Sequence, residues 1–244
     1  MLVSTLLDGL QSDPGRPRLT WYGDDGERVE LSGAVLANWV AKTTNLLVEE
    51  YDARPGTNVG VDLPVHWRTV TWALAAWRVG ATVVVAPDGA TPGAGGVPDL
   101  DVVVTHAPGR WAGTPADLVV VSLPALARRY DGELPPGAMD AASAVMTYAD
   151  QIIYAPEPEA DRAALTDLAT DAVVGHAELV PEGGAGSRML VDGRGAVGEV
   201  LREALRAWAG GGSVVLTSPA TAAALDADSD RLDRLVAMEK VAAR

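Results

Sequence analysis

An α/β fold is predicted: mainly parallel sheet with helices on both faces, arranged as two Rossmann-like halves. Three observations predict it. Residues 56–87 read GTNVGVDLPVHWRTVTWALAAWRVGATVVVAP, in which Val59 and Val61 mark a strand, Thr69 to Arg78 a helix apolar on nearly every face, and Ala81 to Val85 a second strand. A helix apolar all round belongs inside a protein. The closing strand, Thr82, Val83, Val84 and Val85, is continuously β-branched rather than alternating, the pattern of a strand covered on both faces; a helical crossover makes the two strands parallel and is itself right-handed. Finally the unit returns, with Met189 to Val191 a strand, Val197 to Ala209 a helix and Val214 to Thr217 a strand.

From the amino terminus, Val3, Leu6, Leu7 and Leu10 keep a helical period until Asp13-Pro14-Gly15. Leu19, Trp21 and Tyr22 with Val29 and Leu31 flank a Gly23-Asp24-Asp25-Gly26 turn and predict a hairpin. Ser32 can cap a long helix striped by Val35, Leu36, Trp39, Val40, Leu46 and Leu47. After the central unit, Leu100 to Thr105 and Leu118 to Leu123 read as strands. From Pro135 to Gly175 the pattern weakens and acids accumulate, with Met139 to Ile153 readable as strand or helix. The chain closes on an amphipathic helix, Arg231 to Val241. The predicted organisation is a first subdomain over 1–134, an acidic connecting segment over 135–175 and a second subdomain over 176–244. Ala73 to Val84 matches Ala204 to Val215, with Trp77 on Trp208 and Gly80 on Gly211, and the run from Leu31 to Leu36 is echoed by Val174 to Leu179. A two-fold repeat accounts for this, as does the shared demand of any two such units.

Composition excludes several classes. With 19 basic and 33 acidic residues the net charge is −14, so nucleic acid and anionic membrane are not expected partners. The absence of cysteine removes disulfides, thiolate metal sites and thiol nucleophiles, and the opening residues lack a basic start and a cleavage pattern. The longest apolar tract is interrupted by Arg78 and Gly80, so a cytoplasmic protein is the expectation.

The run from Ser12 to Pro87, including the WALAAWRVGATVVVAP element, resembles the start of the large domain of adenylate-forming enzymes, the AMP-binding superfamily of acyl-CoA synthetases and peptide-synthetase adenylation domains; His176 through Lys240 resembles its continuation. More narrowly, it is similar to a short actinobacterial group of AMP-binding-like proteins of unassigned function. The resemblance implies ATP or AMP as ligand, a Ser/Thr/Gly-rich loop ending in Pro-Lys-Gly to hold the phosphates, a later adenine motif with a Mg²⁺-binding Glu, an Asp for the ribose and a lid lysine. The interval for the phosphate loop, Ala155 to Leu179, holds no lysine and no glycine before Gly175, and no later motif occurs before Arg244. Lys42 and Lys240 match neither family lysine. The expectation is a degenerate AMP-binding-like protein without adenylating activity that either keeps a crevice for a small nucleotide or acyl ligand or has lost it. The alternatives are a non-catalytic interaction or assembly protein, pairing with itself or with another protein, and half of a split ligase.

No complete catalytic motif is present and no metal-ligand spacing joins His66, His106 and His176. Gly93-Ala94-Gly95-Gly96 and the 183–188 stretch lead into strands, so the helix dipole of an anion site is missing. Asp192-Gly193-Arg194-Gly195 follows a strand and opens a helix, the place where α/β proteins bind ligands, although it lacks the third glycine of a dinucleotide fingerprint. Asp192 and Arg194 are therefore candidate ligand residues, with Ser218 and Thr217 after the next strand, Asp88 after another, and His66 at a strand end. The Asp192–Gly195 loop has the plain alternative of a structural turn and His66 that of a capping or packing residue, and no Ser, His and acid arrangement accompanies Ser218. Trp39, Trp72, Trp77 and Trp208 stand at core spacing in a chain without phenylalanine.

Overall fold

The computed structural model describes residues 1–86, 98–184 and 186–242, except the side chain of Asp25. Asp88 and the 93–96 glycines lie outside the described residues. The strands are β1 (Pro17–Tyr22), β2 (Arg28–Ser32), β3 (Asn58–Asp62), β4 (Thr82–Val85), β5 (Val102–Thr105), β6 (Asp117–Val120), β7 (Met139–Asp140), β8 (Ala163–Asp167), β9 (Ala172–Gly175), β10 (Arg188–Val191) and β11 (Ser213–Thr217). The helices are α1 (Val3–Leu10), α2 (Gly33–Tyr51), α3 (Trp67–Arg78), α4 (Ala141–Ala144), α5 (His176–Leu179), α6 (Val197–Ala209), α7 (Pro219–Asp226) and α8 (Ser229–Glu239). One sheet has the order β10-β11-β1-β2 and the other β7-β6-β5-β3-β4-β8-β9. Every pairing is parallel except β1 with β2 and β8 with β9. Among the described residues no helix is long and apolar enough to cross a membrane.

The chain divides into two compact units, one of Met1–Ala37, Pro64–Val70 and Val180–Arg244, the other of Asn38–Leu63 and Thr71–Leu179. The strongest local patterns become the buried elements. Trp72 through Trp77 of α3 are at most 3% exposed, as an all-apolar helix requires, and every residue of β4 and β5 is buried. Ser32 caps α2, its Oγ accepting the Val35 N–H at 3.3 Å. The stretch read as weakly patterned contributes β7, α4, β8 and β9. Ala163, Ala164 and Asp167 in β8 are poor strand formers, and pairing with β4 on one side and β9 on the other makes that segment a strand.

The two matched segments share their architecture in detail. In each, a strand, a helix and an adjacent parallel strand (β3-α3-β4; β10-α6-β11) are completed by a further parallel strand that turns back as a hairpin. That hairpin comes from the other half of the sequence: β8-β9 joins β4, and β1-β2 joins β11. The looser echo falls in place too, since β2 opens directly into α2 at Gly33 as β9 opens into α5 at His176. Both helices end identically. The Gly80 and Gly211 N–H groups donate to Trp77 O and Trp208 O at 3.1 and 2.8 Å, and the next amides donate to Ala76 O and Ala207 O, a Schellman closure with both glycines at φ +77°. Alanine at Gly211 meets open space and should cost about 1 kcal/mol for the left-handed backbone alone. At Gly80 the added methyl would stand 2.8 Å from Pro55 Cγ and 3.0 Å from Pro158 Cα, so Gly80→Ala should cost about 2–3 kcal/mol in urea unfolding.

His176, 2% exposed, sets Nε2 3.2 Å from Gly80 O, so its neutral tautomer carries the proton on Nε2 and donates. Burial pushes its pKa below the ordinary 6.5, and the bond to the Gly80 carbonyl only partly offsets this. Below pH 6.5 the unfolded chain takes up the proton first, so this residue makes stability fall as pH drops through that value. His176→Gln keeps a donor and cannot titrate. Its unfolding free energy should show a shallower loss than the parent between pH 7.5 and 5.5; parallel curves would refute the assignment.

Candidate functional site

The parallel strands β10 and β11 end side by side, and the loops that leave them form a cavity of about 230 Å³. Its apolar wall comes from Leu190, Leu225 and Leu232, and its charged rim from Asp192, Arg194 and Asp226. Gly193 must be glycine for β10 to end against β11: a Cβ there would stand 1.9 Å from Thr217 O. Its N–H instead donates to Thr217 Oγ1 at 3.3 Å, and that hydroxyl donates to Val191 O.

Three of the candidate residues, Asp192, Arg194 and Thr217, meet here. Arg194 grips Asp192 through Nε and Nη2 at 2.6–3.1 Å, and its Nη1 reaches Asp226 at 3.1 Å. The guanidinium bonds hold the Asp192 carboxyl below its ordinary range against a smaller opposing effect of burial. Asp192 Oδ1 also accepts the Arg194 backbone N–H at 2.8 Å. The loop amide that would serve an external anion is thus taken by the loop's own carboxylate. Two acids on one guanidinium leave the rim net negative, which suits a neutral or cationic ligand with an apolar body rather than a phosphate.

Ser218 and His66 have other work. Ser218, 5% exposed, caps α7: its Oγ accepts the Thr221 N–H at 3.0 Å and donates to Asp24 Oδ1 at 2.5 Å. Thr221 Oγ1 donates to Gly23 O, so the hairpin turn of β1-β2 is tied to the start of α7. His66, also 5% exposed, meets Trp21 in a T-shaped arrangement with ring centroids 4.8 Å apart, and its Nδ1 accepts the Arg68 N–H at 3.1 Å. Beside it the Arg68 guanidinium stacks over Trp67 at 4.3 Å, and burial lowers its pKa to about 10 despite the opposing field of Glu27. Neither residue lines the cavity.

The second unit presents the interval that the resemblance assigns to phosphates. Residues 155–179 form β8, a four-residue turn over 168–171, β9 and α5. The turn is closed from within. Leu168 N–H donates to Val85 O, Ala169 N–H to Asp167 Oδ1 at 2.9 Å and Thr170 N–H to Asp167 O. Asp167 is 2% exposed, and its Oδ2 has no hydrogen-bond partner among the described residues. Its place in the weakly patterned acidic segment hid it; its position at a strand end beside β4 is the usable signal. Three turn amides are thus committed, a buried carboxylate accepts from one of them, and residues 155–179 contain no lysine. At the ends of β3 and β5, Asp62 accepts from Arg110 Nη2 at 2.8 and 3.0 Å, Trp111 Nε1 at 2.8 Å and Thr105 Oγ1 at 2.6 Å, a saturated carboxylate that fastens the β5–β6 connection.

Two comparisons place this geometry. The fold is that of acyl-CoA synthetases and of an amide bond synthetase. An acyl-CoA synthetase of Brucella canis superposes with a TM-score of 0.67 at 17% identity over 89% of this chain and 43% of its own. Acetoacetyl-CoA synthetase of Streptomyces lividans gives 0.67 at 17% identity over 88% and 38%, and an amide bond synthetase of Marinactinospora thermotolerans 0.65 at 18% over 99% and 48%. In sequence, the chain is similar to a TIGR03089 family protein of Mycobacterium tuberculosis, 38% identical over 162 residues, which is 64% of this chain and 64% of that protein. The chain thus spans under two thirds of that relative and under half of each synthetase. No family model matches it.

Proposed function

We propose that this protein uses the adenylate-forming fold without forming adenylates, and that the cavity at the ends of β10 and β11 is its small-molecule site. The closed β8–β9 turn carries the first part of this reading. Activation of a carboxylate by ATP needs the β- and γ-phosphates held by free amides and a cation, and here the amides bond internally to Val85 O and to the carboxylate and carbonyl of Asp167. The rim of Asp192, Arg194 and Asp226 over a leucine-lined wall supports the second part, with a ligand whose polar end is neutral or cationic. In a pyrophosphate-exchange assay with labelled pyrophosphate, ATP, Mg²⁺ and a panel of short- to medium-chain carboxylic acids, exchange should stay at the enzyme-free rate. Acid-dependent exchange above that rate would overturn the reading.

A further inference from the structure

A second cavity, of about 500 Å³, lies over the sheet near the starts of β1, β10 and β11, away from the strand ends that hold the candidate site. In a chain of net charge −14 its lining is cationic: Arg16, Arg28, Arg188 and Lys240 against Glu30 and Glu239, a local net of +2. Charges elsewhere on the surface are screened beyond roughly 10 Å at ordinary salt, so a small ligand here meets these groups rather than the whole molecule's field.

The six charges divide into two sets. Glu239, with its side chain 5% exposed, ties down Arg28 and Arg188, and Arg28 also pairs with Glu30. Arg188 is further fixed by bonds to Thr20 Oγ1 at 2.8 Å and Ser213 Oγ at 3.1 Å. Arg16 and Lys240 are exposed, and among the described residues neither has a carboxylate within ion-pair distance. The cavity is therefore a rigid guanidinium floor with two uncompensated cations at its mouth.

We infer that this cavity binds a small molecule carrying a dianionic phosphomonoester, held by Arg16 and Lys240 over the fixed guanidinia of Arg28 and Arg188. Two uncompensated positive charges match a phosphomonoester at neutral pH, and a guanidinium with an ammonium suits its oxygens. The volume exceeds what a bare phosphate fills and falls in the range of organic-ligand sites, and Pro17 and Met238 offer apolar contact beside the cations. This site is independent of the proposal for the β10–β11 ends, and its test involves neither ATP nor carboxylic acids.

The experiment is a thermal-shift titration of the full chain with phenyl phosphate and inorganic phosphate, each against sodium chloride of equal ionic strength. Phenyl phosphate should raise Tm saturably, at a lower midpoint concentration than inorganic phosphate. The double variant Arg16→Gln, Lys240→Gln, altered only at exposed positions, should keep its ligand-free Tm and shift the phenyl phosphate midpoint upward at least tenfold. Absence of a saturable rise, or an unchanged midpoint in the double variant, would overturn the site. Equal midpoints for the two anions would overturn the organic body of the ligand.

Discussion

Glu239→Ala is expected to destabilise the fold by about 2–4 kcal/mol. The residue ends α8, an outwardly charged helix, yet its carboxylate is nearly enclosed and accepts from Tyr22 Oη at 2.5 Å, Arg28 Nε and Nη2 at 3.1 and 2.9 Å, and Arg188 Nη2 at 2.5 Å. Removing it strands Arg188, only 15% exposed, while Arg28, 42% exposed, recovers water; the expected cost therefore sits below that of a wholly buried pair. Lys240 follows in the left-handed conformation, and Ala242 N–H donates to Arg188 O, so the carboxylate also anchors the last described residues to β10.

The pH dependence has a definite sign. Burial pushes the Glu239 carboxyl up, but the bonds from Tyr22, Arg188 and Arg28 together outweigh it and leave the pKa below its ordinary 4.5. A depressed carboxyl pKa contributes stability that is fully present above the unfolded value and is lost as pH falls through the folded one. The gap between the parent and Glu239→Gln in urea unfolding should accordingly be largest near neutrality and shrink below pH 4.5. A Glu239→Ala variant within 0.5 kcal/mol of the parent would show that the cluster contributes nothing.

Residues with strictly local signals were legible. The capping serine of α2, the all-apolar α3 and the valine strands β4 and β5 declare themselves because their partners lie within a few residues or because burial on every side leaves one composition. What joins distant segments was not. Nothing in Ala163 to Asp167 says that it pairs with β4, and nothing in β1 says that it lies beside β11. Ser218-Pro219 carried a readable cap-and-first-turn signal for α7, yet its place after a strand suggested a ligand residue instead. The candidate site divides in the same way: Asp192 and Arg194 follow from their position after β10, whereas Asp226, Leu225 and Leu232 arrive on α7 and α8 through packing alone. Glu239 reads as one more solvated charge on an amphipathic helix until the sheet residues from both ends of the chain converge on it.

The two tryptophans at matched positions test whether the repeated architecture is also repeated energetics. Trp77 Nε1 donates to Ala164 O on β8 at 2.7 Å, and Trp208 Nε1 donates to Arg18 O on β1 at 2.8 Å; both side chains are buried, at 0% and 3% exposure. In each case the indole bonds the strand contributed by the other half of the sequence, so it binds the hairpin to the sheet that the hairpin completes. Alanine at either position should cost about 3–5 kcal/mol, a large share of a domain's stability. Phenylalanine is the sharper probe, because it keeps most of the apolar volume and removes the donor. It leaves a buried carbonyl without this partner and a small void, so Trp77→Phe and Trp208→Phe should each cost about 2–3 kcal/mol and agree within about 1 kcal/mol. Far-UV circular dichroism in urea measures both without relying on the altered fluorophore. A difference of 2 kcal/mol or more would mean that one hairpin is held mainly by other contacts, and that the resemblance between the halves stops at topology.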